Sequence, residues 1–231
     1  MSTPNISVVG LGFVGLTLAV INAKKGFTTI GIDINNNKLE QLRNGKPDFF
    51  EPKLEEYLKK SIKQNKIKFT KNFNDILKTD FIFVTVGTPS SNQGNIDLTY
   101  VKKAVNKISK IIKNKKHLIV IKSTVIPTTT LKIIFPVFSK NKNTTVVVNP
   151  EFLRESNAIN DLLKPHLIVI GENKSKDGEK LIEYYKKFYE EEYGKIPFKK
   201  IIPSTKYLKL QNERGSRVFS FFSKKINLKK G

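Results

Sequence analysis

Three glycines near the start of the chain are the first residues placed to do chemistry. Gly10, Gly12 and Gly15 fall in the run Ile6 to Gly15, Ile-Ser-Val-Val-Gly-Leu-Gly-Phe-Val-Gly. The apolar residues before Gly10 read as a buried strand and those after Gly15 as a helix, so the glycines sit on a sharp strand-to-helix turn. The G-x-G-x-x-G pattern at such a turn suits a pyrophosphate. Gly10 allows the tight turn, Gly12 lets backbone approach the ligand, and Gly15 lets the helix lie close on the strand. The first N–H groups and positive dipole end of the helix would then meet the phosphates. Similar turns occur with no ligand, so the pattern needs partners elsewhere. Asp33 closes a second apolar run, Thr28 to Ile32, at a distance from Gly15 close to that expected of an acid binding the adenosine ribose hydroxyls. A carboxylate there would repel a 2′-phosphate, which favours NAD over NADP. Capping of the next helix is the other common use of an aspartate in this position.

These residues need a scaffold, and the rest of the chain supplies its pattern. After Gly15 the apolar residues Leu16, Leu18, Ala19, Val20 and Ile21 continue a helix that Gly26 ends. A short helix is expected over Asn36 to Asn44, then a loop from Gly45 to Pro52, then a helix from Pro52 through Ile62. Lys66 to Thr70 reads as a minor strand, and Phe81 to Val86 as a strand covered on both faces. A helix is expected from Asp97 or Thr99 to Ile112, with Val101, Ala104, Val105, Ile108, Ile111 and Ile112 on one face. Strands follow at Leu118 to Ile121, Val146 to Val148 and Leu167 to Ile170. Helices are expected from Pro127 to Phe138, over Leu181 to Tyr193, and from Ser204 onward. Strands alternating with helices mean an α/β fold with a doubly wound, mostly parallel sheet.

The 231 residues fit one large domain, or one domain and part of another. No apolar run of about 18 residues occurs, so no membrane partner is expected. The first strand begins too early for a signal peptide, which points to a cytoplasmic location. The chain has no cysteine and two histidines, His117 and His166, which argues against disulfides and metal sites alike. A net charge of +22 raises nucleic-acid binding. The lysines are spread along the chain on polar helix faces and no nucleic-acid motif accompanies them, so no specific nucleic-acid partner is expected. Attraction to anionic ligands is the milder consequence.

Five blocks in order carry a resemblance. They are Gly10-Leu-Gly-Phe-Val-Gly-Leu16; Gly45 through Glu51-Pro52; Val86-Gly-Thr-Pro89 with Gly94 and Asp97; Lys122-Ser-Thr-Val125 with Pro127; and Asn149-Pro-Glu-Phe-Leu-Arg-Glu155 with Ala158, Asp161, Pro165 and Ile168 to Gly171. Together they resemble the UDP-glucose/GDP-mannose dehydrogenases, NAD enzymes that oxidise the C6 hydroxyl of a nucleotide sugar to a carboxylate. The likeness runs from residue 5 to about 210 and implies a Rossmann-like NAD-binding domain over 1–203.

The resemblance also implies roles. Gly12, Phe13 and Val14 would contact the NAD pyrophosphate, Asp33 the ribose with Lys38 nearby, and Thr88 would line the cofactor pocket. Thr124 would position a water near the reacting centre, Glu151 would serve as acid–base residue and Glu155 would face the nicotinamide. Phe152 and Leu153 would offer backbone groups to the nucleotide-sugar substrate. Two carboxylates four residues apart at a sheet edge can orient water and exchange protons. A solvated pair at a helix start is the plainer reading of Glu151 and Glu155. Ser204 to Asn212 resembles the start of the family's connecting helix, where Lys209 would stabilise an alkoxide. The family places an asparagine four residues later, where this chain has Glu213. Family members use UDP-glucose, GDP-mannose and N-acetylated UDP-sugars, and these blocks do not choose among them.

The resemblance stops at Glu213. Residues 214–231 hold six basic residues and no acidic one. The family continues with a cysteine-bearing segment and a second nucleotide-binding domain, and its second oxidation passes through a cysteine adduct. The chain is therefore expected to be a truncated or frameshifted form, the cofactor-binding half. It is expected to be not fully active alone and to dimerise only if the connecting helix were complete. A basic amphipathic segment and simple disorder are the other readings of 204–231. A catalytically silent NAD-binding or interaction module is the alternative to a dehydrogenase.

Overall fold

A computed structural model describes residues 3–90, 96–112, 116–125, 129–190 and 198–201. The apolar runs become the strands β1 (Ile6–Val9), β2 (Thr29–Ile32), β3 (Ile67–Thr70), β4 (Phe81–Val84), β5 (His117–Ile121), β6 (Thr144–Val148), β7 (Ile168–Glu172) and β8 (Phe198–Ile201). They form one sheet in the order β3-β2-β1-β4-β5-β6-β7-β8. Neighbours pair in parallel except β6 with β7, where Val147 faces Glu172 and Val148 faces Gly171 antiparallel. The expected mostly parallel sheet is therefore present. Strand order reverses between β1 and β4, and the crevice outside the strand ends at such a point is where open α/β sheets bind ligands.

The helices are α1 (Phe13–Lys24), α2 (Asn36–Arg43), α3 (Leu54–Lys63), α4 (Thr99–Ile112), α5 (Phe135–Phe138), α6 (Ala158–Leu163) and α7 (Glu179–Tyr189). Period-two alternation in the strands divides the core between the two faces. Ile6, Val8, Leu118 and Val120 meet Leu16 and Ala19 of α1, Leu58 of α3 and Tyr184 and Phe188 of α7. Val9, Ile119 and Ile121 point the other way, onto Val101, Val105 and Ile108 of α4 and Phe138 of α5. Each fully buried residue of this kind stabilises the fold by about 1.5–3 kcal/mol.

α1 is apolar all round, which fits a helix held between the sheet and other helices rather than a surface helix. Its one buried amide, Asn22, donates to the Leu18 carbonyl at 2.9 Å and accepts from the Tyr184 hydroxyl at 2.8 Å. Gly26 takes φ +92° just after α1, as the left-handed cap requires.

Several boundaries differ from expectation. α3 starts at Leu54 rather than Pro52, because Lys53 adopts φ 67° and helical hydrogen bonding begins only after it. The segment expected to be one helix up to Phe138 holds a π-helical turn over Thr130–Ile134 before α5. Pro136 lacks the N–H and crowds the carbonyl four residues back, which favours the wider turn. The short α6, the 3₁₀ turn at Phe73–Lys78 and the edge strand β8 carry too few periodic residues to read from sequence. Gly94, Pro127, the helix expected from Ser204, Lys209 and the basic segment lie outside the described residues.

Candidate functional site

The glycine turn leaves β1 and enters α1 with each glycine in a different surrounding. Gly10 has φ +95°, and a Cβ there would stand 2.8 Å from the backbone N and Cα of Val86. At Gly15 a Cβ would be 1.9 Å from the Gly10 carbonyl oxygen and 2.6 Å from the Thr85 hydroxyl. Both glycines are therefore demanded by protein packing alone. Gly12 is not: nothing lies within 4 Å of a Cβ built on it. It is the N-cap residue of α1 and provides no side-chain cap, so the first N–H groups of the helix, at Phe13 and Val14, are left for another acceptor. An open glycine face over an uncapped helix start is a cradle for an anion.

Asp33 follows β2 at the same edge. Its Oδ2 accepts the Leu11 N–H at 2.7 Å and its Oδ1 the Asn35 N–H at 3.0 Å. The cap of α2 is Asn35, whose side chain accepts from the Lys38 N–H at 3.1 Å. Asp33 is thus not the capping residue; it ties the end of β2 to the glycine turn and keeps lone pairs for hydroxyl donors. Ile34 beside it is 73% exposed, an apolar surface next to Asp33 that no sequence motif marks.

Lys38 bridges two blocks. Its Nζ donates to the Leu11 carbonyl at 3.2 Å and pairs with Asp48 at 2.9 Å. Phe49 packs on Phe13 with ring centroids 5.2 Å apart. Glu51 is buried, and its Oε1 accepts the Ile159 N–H at 3.1 Å. The Gly45–Pro52 loop is therefore a strap from the glycine turn to α6. Glu51, quoted only as part of a block, proves to be its far anchor.

The ends of β4 and β5 close on the turn. The Thr85 hydroxyl donates to the Gly10 carbonyl at 2.7 Å, and the Ser123 hydroxyl to the Val86 carbonyl at 2.7 Å. These bonds bring the Val86–Pro89 and Lys122–Val125 loops to one edge, with Thr88 half-buried and Thr124 exposed. Lys122 turns inward and is 4% exposed. Its Nζ donates to the Asn149 carbonyl at 3.2 Å and to Asn149 Oδ1 at 3.1 Å. Burial pushes this ammonium down to about 8, against the opposing pull of the Glu151 carboxylate. A lysine placed directly after the buried run Leu118 to Ile121 was the available sequence signal for it.

After β6, Asn149–Glu155 runs as a loop and α6 begins only at Ala158. Glu151 and Glu155 thus precede the helix and do not lie in its first turn, so the helix-start reading of the pair fails. Glu151 is half-buried, and one oxygen accepts the Leu153 N–H at 2.6 Å. Leu153 therefore has its carbonyl, and not its N–H, to offer a ligand. Phe152 is 53% exposed and Glu155 is exposed. Arg154 is turned away to Asp161, with Nη2 to Oδ1 at 2.6 Å and Nε to Oδ2 at 3.0 Å. That pairing holds the Asp161 carboxyl at about 2, below its ordinary range.

One sheet edge thus carries the glycine turn, Asp33, Thr88, Thr124 and the Asn149–Glu155 loop. The β2, β1 and β4 ends suit a dinucleotide laid across the switch point. Thr124, Glu151 and Glu155 place a hydroxyl and two carboxylates at the β5 and β6 ends. Among the described residues no group of three or more His, Cys, Asp and Glu could hold a metal ion, and no helix is long and apolar enough to cross a membrane.

Comparison with known proteins agrees with this geometry. Residues 4–189 match the model of the UDP-glucose/GDP-mannose dehydrogenase family, NAD binding domain. UDP-glucose 6-dehydrogenase of Rickettsia felis is 42% identical over 182 residues, covering 78% of this chain and 40% of that protein. GDP-mannose 6-dehydrogenase of Pseudomonas savastanoi pv. phaseolicola is 36% identical over 189 residues, covering 78% and 43%. The crystal structure of a GDP-mannose dehydrogenase ternary complex from Pseudomonas aeruginosa matches with a TM-score of 0.80 at 30% identity, over 90% of this chain and 48% of that one. A UDP-glucose dehydrogenase from Pyrobaculum islandicum matches with a TM-score of 0.80 at 33% identity, over 92% and 49%. The chain spans less than half the length of these relatives. By its matched domain and the residues gathered at its sheet edge, the chain belongs to the UDP-glucose/GDP-mannose dehydrogenase family, of which it carries the NAD-binding domain.

Proposed function

We propose that this chain is the cofactor-binding half of an NAD-dependent nucleotide-sugar dehydrogenase, oxidising a sugar hydroxymethyl toward the acid. The observation that carries the reading is the empty space over Gly12 at the uncapped start of α1, with Asp33 fastened beside it. Bound NAD would supply the hydride acceptor. Around it, Gly12 and the N–H groups of Phe13 and Val14 hold the pyrophosphate, and Asp33 accepts from the adenosine ribose hydroxyls. Gly10 and Gly15 bring strand, turn and helix close enough for this, and Lys38 steadies the turn through the Leu11 carbonyl. Thr88 lines the crevice at the switch point. Thr124 and Glu151 orient a water and exchange its proton on the reacting side, with Glu155 toward the nicotinamide. Phe152 and the Leu153 carbonyl face the sugar. Lys209 is assigned to the developing alkoxide by family resemblance alone.

The chain contains no cysteine, so it has no thiol to hold an aldehyde for a second hydride transfer. That favours a second reading in which the chain binds NAD without turnover. Calorimetry on the chain tests what both share. NAD binds, NADP binds at least about tenfold more weakly, and Asp33→Ala weakens NAD about 10–100-fold, as loss of charge-assisted hydrogen bonds implies. No binding of NAD at millimolar concentration would overturn both. Sustained NADH formation from UDP- or GDP-sugars excludes the silent module; binding without it favours that module.

A further inference from the structure

Lys122 is the one buried ammonium described at the ligand edge, and it has no exposed face to present to a ligand. Both of its hydrogen bonds go to Asn149, one to the main-chain carbonyl and one to Oδ1. Asn149 is 1% exposed and is the residue from which the Pro150–Glu155 loop departs. Its amide donates to the Val169 carbonyl at 2.8 Å, and its Oδ1 also accepts the Tyr185 hydroxyl. The ends of β5 and β6, the edge of β7 and the body of α7 therefore converge on one side chain. Two residues along the loop, the Glu151 carboxylate accepts the Leu153 N–H at 2.6 Å and so closes the loop on itself just past the Asn149 anchor. Four strand spacings separate β2 from β6, about 19 Å. A dinucleotide whose adenosine end lies at Asp33 thus has its nicotinamide end on the β5 and β6 side.

We propose that Lys122 is a positioning residue: by gripping Asn149 through two hydrogen bonds, it sets the Asn149–Glu155 loop against the nicotinamide end of the cofactor crevice. The proposal rests on the NAD reading above. A methionine in its place would fill the same space and leave the Asn149 carbonyl without its donor. The adenosine end, held by Asp33 and the glycine turn, lies on other strands and would be untouched.

The test compares NAD with ADP-ribose, which lacks the nicotinamide, by calorimetry on the full chain. Amide hydrogen exchange over 149–155 is followed in parallel. Lys122→Met is expected to weaken NAD about tenfold and change ADP-ribose by less than about twofold, with faster exchange in 149–155 and unchanged exchange in 6–33. Lys122→Arg, which keeps a cation, is expected to recover most of the NAD preference. An unchanged NAD to ADP-ribose ratio with unchanged exchange overturns the proposal, and so does equal weakening of both ligands. Should Lys122→Met fail to fold, Lys122→Gln is judged by the same ratio. If wild type binds neither ligand, the NAD reading falls, and the exchange comparison still decides whether Lys122 fixes the loop.

Discussion

Gly12 and Gly15 are the same residue type three positions apart, yet they are kept for opposite reasons. Gly15 is filled by its own fold, since a methyl group there would strike the Gly10 carbonyl oxygen. Gly12 faces nothing in the protein at an ordinary negative φ of −72°. The substitution Gly15→Ala is therefore expected to cost about 1–3 kcal/mol of stability through overpacking against backbone. Gly12→Ala should leave stability within about 0.5 kcal/mol, yet weaken NAD about tenfold or more, because its methyl group occupies the ligand's space. Urea denaturation and NAD calorimetry on the two variants check this. Equal effects of both on stability would mean that Gly12 is structural and the open cradle is not a ligand site.

Elements at this sheet edge are fastened to one another by side chains rather than by long helices. Thr85 joins the β4 end to the turn, Ser123 joins the β5 loop to the β4 loop, and Glu51 carries the strap to α6. Arg154, Asn157 and Asp161 fasten α6 to the Asn149–Glu155 loop. The Asp161 carboxyl titrates at about 2 in the fold, below its ordinary value of 3.8. Its contribution is complete above the unfolded value and is lost as pH falls from about 4 toward 2. The Arg154 side chain is 68% exposed, so water screens the pair and about 1 kcal/mol is expected rather than the full linkage value. In denaturant titrations, Asp161→Asn should be less stable than wild type by about that amount at pH 6. The gap should close below pH 3. A gap that stays constant with pH would show that the Asp161 charge contributes nothing to fastening α6.

At the scale of the whole chain, the net charge of +22 is the dominant electrostatic fact. Lysines sit on solvated helix faces such as Lys102, Lys103, Lys107 and Lys110 of α4, where they repel one another and attract anions alike. Raising salt from about 10 mM to 300 mM shortens the Debye length from about 30 Å to under 10 Å. The thermal midpoint is therefore expected to rise by a few degrees over that range. The on-rate for anionic NAD should fall over the same range. A midpoint that drops with salt would mean that attractive pairs outweigh the self-repulsion.

The sequence alone determined the alternation of strands and helices, because continuous apolar runs and period-3.6 faces are local patterns that burial rewards wherever they occur. It also placed the glycine turn at the end of the first strand and Asp33 at the end of the second, since both follow from spacing along consecutive elements. Tertiary structure decided what spacing leaves open. Asn35, not Asp33, caps α2; Glu51 reaches Ile159, over a hundred residues along the chain; Lys122 turns inward onto Asn149; β7 runs antiparallel to β6. The Asn35 cap is a local bond to the Lys38 N–H, but the other three depend on which strand end lies beside which. That proximity is set by packing of the whole sheet and not by any local stretch. The difference between Gly12 and Gly15 has the same origin: one pattern names both glycines, but only the assembled core fills the space at one and leaves it free at the other.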